Sequence, residues 1–260
     1  MDADRLKSTL YLRCALPLAK VLRTEHPQVF DKLYYKMNAV VQFCVKGDDE
    51  LGTRLVFYDG ALDVEFGVNR RDATLVFEFA THEGLNGFFA GKMGGAYLPK
   101  ITPLYRLDIV LRVLPLLLEL KILDPNNIPK TPYWQGLKVK MVLYMITAAL
   151  SQLNKSGHED MRHWTQMQPE RVYQWTVENG GPAAYLRVKA GKTKSGRGSY
   201  TRRRPFVHMI FPDIPGAFMV LTNQAPLVEA VSKGFVRTEG AMEYSKDIGT
   251  FMQTIETMLR

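Results

Sequence analysis

Between Tyr185 and Pro205 the chain carries Arg187, Lys189, Lys192, Lys194, Arg197, Arg202, Arg203 and Arg204, and no carboxylate. A run of this kind binds polyanions. On an anionic lipid surface each Lys or Arg contributes about 1 kcal/mol, and nucleic acid phosphates or an acidic groove on a protein would use the same charges. Lys192, Lys194, Arg197, Arg202, Arg203 and Arg204 are the predicted docking residues, for a membrane or a partner. Only Tyr200 and Phe206 interleave them, so base stacking on a single strand is a poor fit and nucleic acid is not the expected partner. The section from Gly191 to Tyr200 is rich in Gly, Ser and Lys and predicts a mobile hairpin tip. A plain solvated face is the alternative.

Other candidate chemistry falls away on spacing. Gly191-Lys192-Thr193 resembles the end of a phosphate loop, but the leading glycine would have to stand at Leu186. His158 and His163 are five residues apart, which on a helix turns them about 140° from each other and away from a shared metal. His82-Glu83 has no second histidine nearby. Cys14 falls on a helical pattern and Cys44 in an apolar strand, so both read as buried thiols in a reducing compartment. With no Gly-x-Ser-x-Gly elbow, the expectation is a protein that is not an enzyme and needs no cofactor or metal.

Composition bounds the rest. At 260 residues, 46% hydrophobic and 23% charged, the chain is globular with room for one large or two ordinary domains. Its formal net charge of +8 favours an acidic partner. The acidic start, Met1-Asp2-Ala3-Asp4, is unlike a signal peptide, and a cytoplasmic protein, peripheral to a membrane at most, is expected. Leu107 to Leu123 is very apolar but contains Arg112, Pro115 and Glu119, and Met141 to Leu150 is too short to span a bilayer.

Elements that must position these residues alternate between helix and hairpin. Arg5 to Glu25 has a helical period with a kink expected at Pro17, and Gln28 to Val40 reads as a second helix. Four strand-like runs follow, Val41 to Lys46, Thr53 to Tyr58, Ala61 to Phe66 and Ala73 to Phe79, with Asp59-Gly60 as a tight turn. A short helix closes on Gly91. Pro103 to Asp124 is apolar on nearly every side and must be buried against something. The proline-rich stretch from Asp124 to Pro132 is the best boundary, and Gly136 to Leu153 and Gly157 to Met167 read as helices. The pattern then returns, Val172 to Val177 echoing Val40 to Val45 and Ala190-Gly191 standing for Asp59-Gly60. Gln42 and Gln174 are 132 residues apart, Gly91 and Gly234 143, a drift that a loop insertion in the second copy explains.

Met37-Asn38-Ala39-Val40-Val41-Gln42-Phe43, the Asp72 to Phe77 strand, Phe88 to Met93, and Glu229 to Gly234 followed by Val236 to Gly240 together resemble the sterol carrier protein 2 (SCP2) family. The likeness covers roughly residues 28–103 and 165–260. It departs in the Ala96 to Ile101 section and in the two apolar helices between the copies. The resemblance implies an α+β fold of two SCP2-like units, each a mostly antiparallel five-stranded sheet covered by helices, joined by apolar linker helices. The expected domains are 1–27 (N-terminal helix), 28–103 (first unit), 104–164 (helical linker) and 165–260 (second unit). It also implies an apolar tunnel for a lipid, sterol-like or acyl compound. Leu85, Phe88, Phe89, Met93, Phe218, Val231, Met242, Ile248, Met252 and Ile255 are the candidate ligand-binding residues, although such stripes are also ordinary helix core. The function implied is non-catalytic binding or transfer of a hydrophobic ligand, with the basic loop docking on a membrane or partner. The alternative is a scaffold or accessory subunit of a homo-oligomer or enzyme complex that keeps the fold without a cavity.

Overall fold

Leu6, Leu10, Cys14, Leu18 and Leu22 recur every fourth residue and all are buried, as one stripe of a helix facing a core must be. In the computed structural model, which describes residues 2–259, this stripe runs along a continuous helical segment. It comprises α1 (Ala3–Leu10), a π turn (Tyr11–Ala15), a 3₁₀ turn (Leu16–Leu18) and α2 (Ala19–Glu25). Pro17 lacks the N–H that would continue the ladder, and the turn before it widens until Leu16 N–H reaches Tyr11 O. α3 (Pro27–Leu33) follows with proline in its first turn. The second helix therefore ends at Leu33. Tyr34 to Asn38, expected as helix, are a turn with Lys36 at positive φ, and Ala39 and Val40 already belong to the first strand.

The first sheet contains β1 (Ala39–Val45), β2 (Asp48–Tyr58), β3 (Ala61–Phe66), β4 (Leu75–Phe79) and β5 (Lys100–Thr102) in the order β3-β2-β1-β4-β5. β1 and β4 are parallel and every other pair is antiparallel. α4 (His82–Phe89) connects β4 to β5, capped by the Thr81 hydroxyl, which accepts from Gly84 N–H. α5 (Leu107–Glu119) closes this unit, Met1–Lys121.

The second unit, Ile122–Arg260, opens with α6 (Pro132–Lys155) and α7 (Glu159–Gln166). Its sheet is β6 (Arg171–Val177), β7 (Ala183–Lys189), β8 (Lys192–Arg197), β9 (Val207–Phe211) and β10 (Arg237–Gly240). The order β8-β7-β6-β9-β10 repeats the first, with β6 and β9 the parallel pair. α8 (Ile214–Leu221) and α9 (Leu227–Ser232) lie between β9 and β10, and α10 (Ser245–Leu259) ends the described chain.

The offset of 132 holds far beyond the two glutamines. It relates β1 to β6, β4 to β9 and α4 to α8, end for end. Asp213 caps α8 through Gly216 N–H as Thr81 caps α4. Asp59-Gly60 and Ala190-Gly191 both place two successive residues at positive φ, the requirement of a type I′ hairpin turn. Gly91 is matched by Asn223, also at positive φ, and not by Gly234 as expected. The insertion lies after that point and holds α9.

This correspondence redraws the expected domains. The helical segment 3–25 is the counterpart of α6 and belongs to the first unit. The expected linker 104–164 does not stand apart: α5 closes the first unit, and α6 and α7 open the second. α6 packs on β7, β8 and α8 because its own residues, Leu137, Val139, Met141, Leu143 and Leu150 among them, are buried around much of its circumference. α5 departs from the expectation of full burial. Ile109, Val113 and Leu116 face inward, while Leu107, Leu111, Leu114 and Leu118 are exposed. Among the described residues no helix is long and apolar enough to cross a membrane.

Candidate functional site

β8 is an edge strand, and its register with β7 fixes which side chains share a face. Lys189 stands directly opposite Lys192, Arg187 opposite Lys194, and Tyr185 opposite Gly196. The alternate set, Leu186, Val188 and Thr193, is buried under α6, where Thr193 Oγ1 donates to Ser151 O at 3.1 Å. The outer face of this sheet edge is therefore a lattice of cations. The section from Gly191 to Tyr200, expected as a mobile hairpin tip, is mostly this strand; only Ala190-Gly191 forms the turn.

A loop returns across the outer face from β8 to β9. Gln174 in the central strand holds it, its Oε1 accepting from Tyr200 N–H at 2.8 Å. Gln42 does the same in the first unit, accepting from Asn69 N–H at 3.0 Å. Tyr200 packs on Tyr185, ring centroids 5.0 Å apart, over Gly196, where a side chain would collide with the Tyr185 ring. The loop carries Arg202, Arg203 and Arg204, all exposed, and brings Arg203 to Glu170 just before the start of β6.

One carboxylate sits inside this basic field. Glu170 accepts from Arg187 Nε at 2.9 Å and lies 3.3 Å from both Lys189 Nζ and an Arg203 nitrogen. Burial opposes its ionisation, but the bonds from Arg187 and Lys189 and the nearby charges outweigh it and hold the carboxyl below the ordinary range. Beside it the Arg171 guanidinium lies against two rings that also touch each other, 4.0 Å from the Phe206 ring centroid and 4.2 Å from that of Tyr244. Glu170, Arg171 and Phe206 wall an open cleft of about 490 Å³ that Arg203 and Arg204 also line.

Of the six predicted docking residues, Lys192 and Lys194 share the outer face with Arg187 and Lys189. Arg202, Arg203 and Arg204 stand on the loop beside them, Arg204 4.0 Å from Glu239. Arg197 departs from the group: its guanidinium lies over the Tyr144 ring of α6, 5.1 Å from the centroid. The sequence reading passed over Glu170, Arg171 and Tyr185. The alternation Tyr185, Arg187, Lys189 along one strand was the signal that could have found this face.

The ten candidate ligand residues differ widely in burial. Leu85, Phe218, Ile248 and Ile255 are buried, and Phe88, Phe89 and Met252 half-buried. Met93, Val231 and Met242 are on the surface, at 93%, 55% and 58% exposure. Met93 lies in the loop beyond the positive-φ Gly91, Val231 on the outer side of short α9, and Met242 in the turn before α10. In the first unit, aromatic rings meet between helices and sheet: Tyr11 stacks on Phe89 at 5.2 Å, and Phe88 meets Phe79 at 5.3 Å. A second open cleft, about 610 Å³, is lined by charge, with Arg5, Asp48, Glu50 and His82 around it. None of the ten residues lines either cleft.

No family model matches the chain. No curated protein matches it either. Among solved structures, sterol carrier protein 2 like 2 from Aedes aegypti aligns at 13% identity over 36% of this chain and 91% of its own, with a TM-score of 0.25. Sterol carrier protein 2 from Yarrowia lipolytica, in its apo form, aligns at 12% identity over 44% and 92%, with a TM-score of 0.31. The stereoselective inverting sec-alkylsulfatase Pisa1 from Pseudomonas sp. aligns at 14% identity over 57% of this chain but 28% of its own, with a TM-score of 0.27.

Proposed function

We propose that this chain is a non-catalytic lipid-surface binding protein, built from two SCP2-like units in tandem, that docks peripherally on anionic headgroups through the outer face of its second sheet. The observation that carries the reading is the pairing of Lys189 with Lys192 and of Arg187 with Lys194 on an edge strand. Like charges placed directly opposite destabilise a sheet, and a local conflict of this kind is characteristic of a functional surface. Glu170 relieves it on the β7 side only. The offset of 132 shared by β1 and β6, β4 and β9, α4 and α8, and both loop-holding glutamines supports the tandem reading. The lipid is engaged at the surface in this account, through the cations of the outer face.

The test is co-sedimentation with phosphatidylcholine vesicles containing or lacking phosphatidylserine. Binding is expected only with the anionic lipid and should weaken as salt rises. At about 1 kcal/mol per cation, the triple change K192Q/K194Q/R202Q should lower partitioning about a hundredfold. Equal binding to neutral vesicles, an unaffected triple variant, or preference for DNA over anionic vesicles would each overturn the reading.

A further inference from the structure

α5 is apolar on two opposite sides. At 3.6 residues per turn, Ile109, Val113 and Leu116 share the side packed into the first unit, and Leu107, Leu111, Leu114 and Leu118 fall on the other. That outer stripe is 43–68% exposed and about 16 Å long. Leu104 and Tyr105, in the turn before the helix, extend it at 70% and 83% exposure. A Cβ on Gly91 would lie 4.0 Å from Lys121 Nζ, so the loop bearing Met93 returns to the C-terminal end of α5. An apolar surface this continuous marks a contact with something other than water.

Charge decides what covers it. From Gly91 to Leu123 there are five cations, Lys92, Lys100, Arg106, Arg112 and Lys121, and two carboxylates. Asp108 is bound to Arg106, 3.0 Å from its Nε, and Glu119 is half-buried with its carboxyl pushed up by that burial. The spacing 107, 111, 114, 118 would also suit a helix pair between two copies. A two-fold pairing, however, presents each patch to itself and sets like rims together. A bilayer with anionic headgroups instead offers opposite charge around an apolar interior, and a helix fixed along one side can lie in its interface with Tyr and basic residues at headgroup level.

We propose that the exposed leucine stripe of α5 inserts into the interface of an anionic bilayer. This rests on the lipid-surface reading above but uses a different unit and a different force. It makes part of the binding survive salt, which the basic sheet face alone cannot do.

Leu111→Cys carrying an environment-sensitive dye tests it. Cys14 and Cys44 are buried, and burial pushes the Cys44 thiol up to about 11, so neither competes for label. The dye should shift to the blue on phosphatidylserine-containing vesicles and be quenched by nitroxide-labelled lipid. L111N/L114N, at surface positions that leave the fold intact, should lower partitioning at least tenfold in high salt. A dye that stays in water on vesicle-bound protein, or a double variant that binds as the wild type does, overturns this inference and leaves the basic-face reading standing. The reverse pattern, loss in L111N/L114N with K192Q/K194Q/R202Q unaffected, overturns the basic face and leaves the stripe. A wild-type dimer that L111N/L114N converts to monomer gives the stripe to a second copy and overturns the inference, and a wild type that ignores vesicles overturns both readings.

Discussion

Lys138 in α6 is 1% exposed. Its Nζ donates to the Asp124 carbonyl at 2.8 Å and to the Asn127 carbonyl, pinning the start of the second unit to its longest helix. Burial pushes its pKa from 10.5 down to about 8, against the pull of the Asp124 charge. Between those values the unfolded chain holds a proton that the folded chain has released, so stability rises with pH across this window. At about 1.36 kcal/mol per unit, the gain from pH 8 to pH 10.5 is about 3 kcal/mol. Below pH 8 both states are protonated, and the folded protein carries the full cost of a buried ammonium.

Lys138→Met removes the titration while preserving much of the volume. The Asp124 and Asn127 carbonyls it abandons lie in an exposed loop and can turn to water. K138M should therefore be at least as stable as the wild type at pH 7, and the wild type should gain on it by about 3 kcal/mol by pH 10.5. Urea titrations of both proteins at several pH values measure this difference, and subtracting one from the other cancels groups that titrate in both. Trp134, Trp164 and Trp175 all lie in the second unit, so their fluorescence reports the right one. A difference that stays constant from pH 7 to pH 10 would refute the reasoning.

The loop-holding glutamines and one acid-sensitive cluster give two more tests. Gln42 is fully buried, its Nε2 donating to the Phe43, Thr53 and Gly67 carbonyls while its Oε1 accepts from Asn69. Gln42→Ala should cost about 2–4 kcal/mol and speed amide exchange at Asn69; Gln174→Ala should speed it at Tyr200, and unchanged exchange at either amide would contradict the shared role. Asp48 is held below the ordinary carboxylate range chiefly by its hydrogen bond from Arg5, against burial. Its contribution is present above the unfolded value of about 4 and lost as pH falls through the lower folded one, so Asp48→Asn should flatten the acid limb of a stability profile.

What the sequence disclosed, and what it hid, divides along physical lines. Hairpins announced themselves because Asp59-Gly60 and Ala190-Gly191 occupy a conformation few residues accept, and strand identity followed from runs such as Leu75 to Phe79. The fault lay in pairing two helix-ending glycines. Gly91 and Gly234 end helices by the same rule, but a rule that any helix can use carries no information about equivalence; the match of Gly91 is Asn223, a residue with a side chain that also adopts positive φ. The linker helices were misplaced for a related reason. Residues 3–25 and α6 share a role through contacts with their own sheets, and their sequences differ, with Pro17 and a π turn in one and an unbroken helix in the other. The basic run was visible, but its division was not. Lys192 and Lys194 face out because strand alternation sends Thr193 in, whereas Arg197 turns to Tyr144, a partner 53 residues away that spacing alone does not reveal. α5 shows the limit most plainly. A helix that is apolar all round reads as buried all round, and only packing distinguishes the side that meets the protein from the side left for another surface.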